Sequence, residues 1–169
     1  MMAVATLSLP PTLKIQKFVE LFKLAYMHMR FVHPMLGVTI ETNVLSIPLL
    51  PCFVYEQVTS FDEVQAWADR TVHVHTCESE QDRALSVTDR IQCVRNTVGT
   101  RPLPISQHTR EWHIICFGRE EDAHHVALMS YCAHSVSDAR AELFLLQQLL
   151  DEMARLEGAW PVSASHPSH

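Results

Sequence analysis

The pattern of apolar and polar positions predicts a helix near the start of the chain and an extended segment after it. Apolar residues between positions 13 and 30 recur at intervals of three and four, which is typical of an amphipathic helix. Thr12, which follows two prolines, is the expected N-cap. Pro34 should end the helix near His33, because proline disfavours helical backbone in the residue before it. From Leu36 to Glu41 apolar and polar positions alternate, which predicts a half-buried strand.

Shorter elements are predicted for the middle of the chain. Ser60 and Glu63 have the spacing of a capping box, so a short helix should begin there with Phe61, Val64 and Trp67 on its buried side. The other predictions are an extended run at 52–58, a strand at 71–76, a helix at 79–98 and a loop at 100–110.

The last third of the chain predicts a hairpin followed by a long helix. Two apolar runs at 112–117 and 125–132 are separated by a polar break at 118–122, which indicates two antiparallel strands. A leucine-rich stripe with helical spacing follows, and Ser135 and Asp138 have the spacing of a helix cap. Gly158 should end this helix. Residues 158–169 are expected to be a flexible tail.

The charge and the cysteine content of the chain argue against several classes of function. Thirteen basic and 19 acidic residues give the 169-residue chain a formal charge of −6. No nucleic-acid partner is expected, since phosphate binding needs clustered Lys and Arg. No apolar stretch reaches the ~20 residues that span a bilayer, and the N-terminus lacks the basic flank of a signal peptide. The five cysteines contain no CxxC pair and are typical of reduced thiols, so we expect a cytoplasmic location.

One residue is the main candidate for chemistry. His134 lies just after the second strand of the predicted hairpin and just before the capped helix, so rigid elements hold it on both sides. A general base needs such a position, because imidazole titrates near neutrality and transfers protons only at a fixed geometry. The alternative is a histidine that merely bonds nearby backbone. Cys132 and His134 also have the spacing of a Cys/His nucleophile pair, although the apolar run around Cys132 favours a buried, inert thiol.

Residues 133–139, with His134 and Asp138 in the second and sixth places, resemble the HHxxxDG motif of the chloramphenicol-acetyltransferase-like superfamily. That superfamily includes the BAHD acyltransferases and the condensation domains of nonribosomal peptide synthetases, and its motif follows a strand and precedes a Leu-rich helix. The segment 30–36 is similar to the RHPxL sequence that leads into a strand in this family. The resemblance covers most of residues 12–157. It implies an α/β fold, the N-terminal lobe of a two-lobe acyltransferase, with a mixed β-sheet flanked by helices.

The resemblance also implies a function in acyl transfer. In the superfamily the second His of the motif removes a proton from an acceptor hydroxyl or amine, which then attacks an acyl thioester. The Asp holds the loop through a charge pair. Carried over, His134 is the general base and Asp138 is the structural carboxylate. The implied partners are a small-molecule acceptor and a thioester of coenzyme A or of a carrier protein. The thioester is a substrate, and no cofactor or metal is implied.

Three departures from the family bear on this activity. Ala133 replaces the first His of the motif, and Ala139 replaces the Gly, which adds a β-carbon that strains the backbone where φ is positive. The chain stops shortly after the helix that closes the first lobe, so activity is expected to need a second lobe from another polypeptide or a homo-oligomer mate. One alternative is a non-catalytic or truncated lobe that acts as an interaction module. Another is a small-molecule binder or cyclisation enzyme that uses no thioester.

Eleven histidines also raise a metal hypothesis. His73 and His75 share one face of a predicted strand, and His113 or the pair His124 and His125 offers a third ligand. No acidic or cysteine partner stands at a diagnostic spacing, so no metal site is predicted.

Overall fold

The computed structural model of the chain describes residues 1–42, 51–118 and 124–158. Its elements, in chain order, are β1 (Met2–Ser8), α1 (Ile15–Val32), β2 (Val38–Thr42), β3 (Pro51–Tyr55), α2 (Phe61–Thr71), β4 (Val72–His75), α3 (Glu80–Ala84), α4 (Val87–Gly99), β5 (Arg110–Cys116), β6 (His125–Cys132) and α5 (Ala139–Glu157). A 3-10 turn at Pro34–Gly37 joins α1 to β2. The polar break predicted after Gly118, and the predicted tail beyond Gly158, lie outside the described residues.

A four-stranded mixed sheet in the order β1-β6-β5-β4 forms the centre of the fold. β6 pairs antiparallel with both β1 and β5, while β4 pairs parallel with β5. The predicted hairpin of β5 and β6 is therefore confirmed. β2 and β3 form a separate antiparallel pair. None of the helices in the described ranges is both long and apolar enough to cross a bilayer.

Alternation along β5 and β6 sends successive side chains to opposite faces of the sheet. Trp112, Ile114 and Leu128 join the main core, to which α1 and α5 contribute their apolar stripes. On the other face, Ile115 and Met129 pack in a smaller cluster with residues of α4. Helices thus cover both faces, and the predicted α/β class with a mixed sheet flanked by helices is confirmed.

The start of the chain differs from the sequence-based expectation. β1 was not predicted, yet its seven residues pair along β6 from Met2 opposite Tyr131 to Ser8 opposite His125. The folded unit therefore includes residues before position 12. Thr12 is not the N-cap of α1, because a turn closed by the Leu13 N–H on the Pro10 carbonyl, at 2.9 Å, delays the helix until Ile15.

The middle of the chain requires smaller corrections. Ser60 caps α2 as predicted and accepts from the Glu63 N–H at 3.2 Å, but the Glu63 carboxylate accepts from the Thr59 N–H at 2.6 Å. Phe61 is 64% exposed and not buried, since it is the first residue of the helix and lies outside the apolar stripe. The single helix predicted for 79–98 is two helices, because Ser86 adopts extended backbone and caps α4.

A buried arginine joins α1 to the β2–β3 pair. Arg30 is fully buried, with its Cζ 4.5 Å from the centroid of the Trp67 ring and 5.8 Å from that of Tyr55. One Nη donates to the Glu56 carbonyl at 2.6 Å. Gly37 faces this group closely, and a Cβ at that position would lie 2.8 Å from the Arg30 Cζ. The guanidinium therefore needs a residue without a side chain there.

Gly37→Ala is expected to lower the free energy of unfolding by about 1–3 kcal/mol, the usual cost of overpacking a core. The guanidinium of Arg30 lies between two rings and a carbonyl, so it has no room to withdraw. Urea unfolding measures the effect. Gly99→Ala is the matched control, because its Cβ meets only the Met2 Cε, at 3.4 Å, at the end of α4. Equal losses in the two variants would contradict this packing.

Candidate active site

His134 lies in the turn between the end of β6 and the start of α5, and its side chain is exposed. The turn is closed by the Val136 N–H on the Ala133 carbonyl at 3.1 Å. The Ala133 N–H donates to the Thr109 carbonyl at 2.9 Å, which ties the turn to the loop before β5. Backbone hydrogen bonds therefore hold the turn while the imidazole of His134 faces solvent.

A single hydrogen bond selects the tautomer of His134. Its Nδ1 lies 3.3 Å from the carbonyl oxygen of Ser137. A carbonyl oxygen only accepts, so Nδ1 must carry the proton and donate it. In the neutral ring Nε2 is then unprotonated and is a hydrogen-bond acceptor. A general base needs this arrangement, with one nitrogen oriented by the protein and the other available.

Asp138 begins the helix that follows. It is the N-cap of α5, with extended backbone, and its Oδ1 accepts from the Ala141 N–H at 2.8 Å. The cap expected at Ser135 was therefore wrong by three residues. Ala139 is the first helical residue, where no positive φ is required, so its β-carbon adds no strain. Within the described ranges no cation lies within ion-pair distance of Asp138, and the charge pair implied by the resemblance is not formed there.

Sequence reasoning missed the buried charge cluster beside this turn. Glu142, one turn into α5, is only 1% exposed. Its Oε1 accepts from an Nη of Arg110, at the start of β5, and its Oε2 accepts from the hydroxyl of Ser130 in β6. Arg110 and Ser130 are themselves 5% and 2% exposed. One carboxylate therefore connects α5 to both central strands.

The same cluster sets the ionisation of the groups near the turn. Burial opposes the charged form of Glu142, but the charge of Arg110 and hydrogen bonds from Ser130 and Ser137 outweigh it and lower the pKa of this carboxyl. Burial, together with the nearby Glu142 charge, raises the pKa of Cys132 to about 11. A buried thiol that stays protonated at neutral pH is a poor nucleophile, so the geometry disfavours a Cys132/His134 pair.

A second polar cluster lies on the opposite face of the sheet. Glu111 accepts from Arg101 through both oxygens, at 3.1 and 2.5 Å, and contacts the His108 Nε2 at 2.8 Å. The His113 Nε2 lies 3.4 Å from the same carboxylate, and its Nδ1 is 3.0 Å from the His75 Nε2. The structure thus brings several histidines together around one arginine-paired carboxylate.

This histidine cluster bears on the metal hypothesis. His73 and His113 are register partners, and their rings stack with centroids 5.0 Å apart. His125 lies elsewhere, because it bonds Ser8 at the far end of β6. In the parts of the chain that the structure describes, no group of three or more His, Cys, Asp or Glu side chains is arranged to hold a metal ion. Arg101 already occupies the Glu111 carboxylate, which disfavours a cation there.

Comparison with solved structures places the fold. The chain is similar to trichothecene 15-O-acetyltransferase from Fusarium sporotrichioides, with a TM-score of 0.66 and 16% identity, over 96% of this chain and 33% of that one. The SgcC5 protein from Streptomyces globisporus gives a TM-score of 0.65 at 14% identity, over 99% of this chain and 32% of that one. The starter condensation domain of rhizomide synthetase gives 0.62 at 11%, over 96% and 33%. The fold is chloramphenicol-acetyltransferase-like.

The chain spans about a third of the length of each of these proteins. No protein-family model and no curated protein sequence matches it. Identities of 11–16% support a common fold and do not assign residue roles.

The histidine cluster predicts acid sensitivity. Burial and neighbouring basic groups lower the pKa of His75 to about 4 in the folded chain, whereas an unfolded histidine titrates near 6.5. Between these values the unfolded chain binds protons that the folded chain does not, so the free energy of unfolding should fall as the pH falls from about 6.5 to 4. Chemical unfolding at several pH values measures this slope.

His75→Gln should flatten the slope, because it removes one of the titrating groups. His124→Gln is the control, since His124 is exposed and has no place in the cluster. A wild-type stability that is constant or rises as the pH falls through this range would refute the assignment.

Proposed function

We propose that this chain is the base-bearing lobe of an acyltransferase that moves an acyl group from a thioester to a hydroxyl or amine of a small molecule. The observation that carries the proposal is the exposed imidazole of His134, whose Nδ1–H is bound by the Ser137 carbonyl and whose Nε2 is free to accept a proton. Its position between β6 and α5 of an acyltransferase-like lobe supports the same conclusion.

The proposed reaction needs one base. The Nε2 of His134 takes the proton of the acceptor O–H or N–H while that oxygen or nitrogen bonds to the thioester carbonyl carbon. The tetrahedral intermediate then collapses with cleavage of its C–S bond. The proton on Nε2 passes to the departing sulfur, so the products are the acylated acceptor and a free thiol, and His134 returns to its starting state. Asp138 takes no part in proton transfer, since it caps α5.

The thioester and the second lobe belong to this proposal. One structural neighbour is a protein complexed with coenzyme A and T-2, and another is a condensation domain that mediates chain release from a polyketide synthase. Both support a thioester donor and a role in secondary metabolism. Because the neighbours are about three times as long, we place the substrate channel between this lobe and a second one, in the same polypeptide, another polypeptide or a homo-oligomer mate.

A reducing, cytoplasmic location completes the proposal. No disulfide bond joins the cysteines in the described ranges, which agrees with reduced thiols inside the cell. The side chains of Cys116 and Cys132 are buried, which keeps these two thiols from solvent.

A non-catalytic lobe that acts as an interaction module is the second candidate function. Two observations favour it. Ala133 replaces the first histidine of the motif, and among the residues that the structure describes no cation pairs with Asp138. Such a lobe would retain the fold and the buried cluster without any need for the imidazole of His134.

Thiol release from acetyl-CoA, followed with a panel of alcohols and amines, separates the two functions. We expect turnover from the protein alone or with its second lobe, and His134→Ala should lower kcat by about 10²–10⁴, the usual contribution of a general base. His124→Ala, at another exposed histidine, should keep wild-type rates. No thiol release under any of these conditions would leave the non-catalytic lobe, whereas equal turnover by the His134→Ala variant would reject His134 as the base.

A further inference from the structure

We infer that Glu142, held by Arg110 and Ser130, is a positioning residue that orients the imidazole of His134 through the turn between β6 and α5. The inference rests on the proposed function, because the orientation of His134 matters for catalysis only if His134 is the general base. The orientation itself is a property of the folded chain and is measurable without substrate.

The carboxylate of Glu142 binds both sides of the turn. Ser130, two residues before the end of β6, donates to Oε2, and Arg110, opposite Cys132 in the neighbouring strand, donates to Oε1. On the helical side the Glu142 N–H bonds the Asp138 carbonyl at 3.0 Å. The turn that carries His134 therefore spans two anchored ends, and its ends cannot separate without breaking a buried charge-assisted hydrogen bond.

Ser137 transmits this anchoring to the imidazole. It directly precedes the N-cap of α5, and its carbonyl accepts from His134 Nδ1. Its hydroxyl donates to the Asp138 carbonyl at 3.4 Å, and Ser137 is also among the neighbours that lower the pKa of Glu142. If the first turn of α5 shifts, the Ser137 carbonyl shifts with it, and His134 loses the acceptor that selects its tautomer.

Glu142 must carry a negative charge in order to compensate the buried positive charge of Arg110. The guanidinium of Arg110 is 5% exposed, and its Nε has no hydrogen-bond partner in the described ranges. A buried cation requires a nearby anion, and Glu142 supplies it. An uncharged side chain at position 142 would leave Arg110 unpaired and would free the N-terminus of α5 to move.

The test is a tautomer measurement on the intact chain. Protein labelled with ¹⁵N in its histidine rings is examined by long-range ¹H–¹⁵N spectra above pH 8, with His134 assigned from the His134→Gln variant. We expect Nδ1 to be protonated in the wild type. The Arg110→Met/Glu142→Leu double variant removes both charges together, so no unpaired charge is left in the core. In it the ratio of the Nδ1–H to the Nε2–H tautomer should fall by about twofold or more.

Two further variants keep the test decisive if the double variant unfolds. Glu142→Gln removes the negative charge and keeps the shape of the side chain. Ser130→Ala removes one hydrogen-bond donor and keeps the ion pair. Ser130→Ala should therefore change the His134 tautomer ratio less than Glu142→Gln does. Asp82→Asn is the matched control, because it breaks another ion pair made by a buried arginine. In that pair Arg90 Nη1 lies 2.7 Å from Asp82 Oδ1, and both residues are far from the turn in sequence. It should lower stability and leave His134 unchanged.

The outcomes separate this inference from the proposed function. A wild-type tautomer ratio in every folded variant overturns the positioning role, even if thiol release still depends on His134. A changed ratio with no thiol release from any form of the protein supports the positioning role and rejects the base. An equal change in the Asp82→Asn control would also overturn the inference, since it would reflect general loosening of the fold.

Discussion

Two opposite charges, on Arg110 and Glu142, are buried together where the first turn of α5 meets the central strands. Removing two such groups from water costs several kcal/mol per ion, and only close pairing with further hydrogen bonds offsets it. Here Ser130 supplies one of those bonds. The pair is stable only when α5 and the central strands keep one relative position. It therefore also fixes the short turn between β6 and α5, which carries His134.

The alternation of β5 keeps two polar clusters apart. Arg110 and Glu111 are adjacent in sequence, so their side chains lie on opposite faces of the sheet. Arg110 meets Glu142 on the face covered by α1 and α5, while Glu111 meets Arg101 and the histidines on the other face. Each buried charge thus finds a partner on its own side. The first cluster supports the candidate active site, and from the second we expect a stability that depends on pH.

Local sequence patterns predicted the elements around His134, because alternation in β6 and the apolar stripe of α5 are local signals. They missed β1, an edge strand whose alanine, threonine and serine content hides its pairing. They also missed Glu142, since an acidic residue in the first turn of a helix normally interacts with the helix dipole at the surface. Its partner Arg110 lies 32 residues away in sequence. No short-range pattern records such a contact. The N-cap was expected at Ser135 and lies at Asp138, because serine and aspartate both favour that position.

A double-mutant cycle of Arg110→Met and Glu142→Leu, followed by chemical unfolding, tests most directly whether this buried pair organises the fold. Each single variant leaves one charge buried without its partner and should lose about 3–5 kcal/mol of unfolding free energy, whereas the double variant should lose much less than the sum. Additive losses, or single variants as stable as the wild type, would contradict the account.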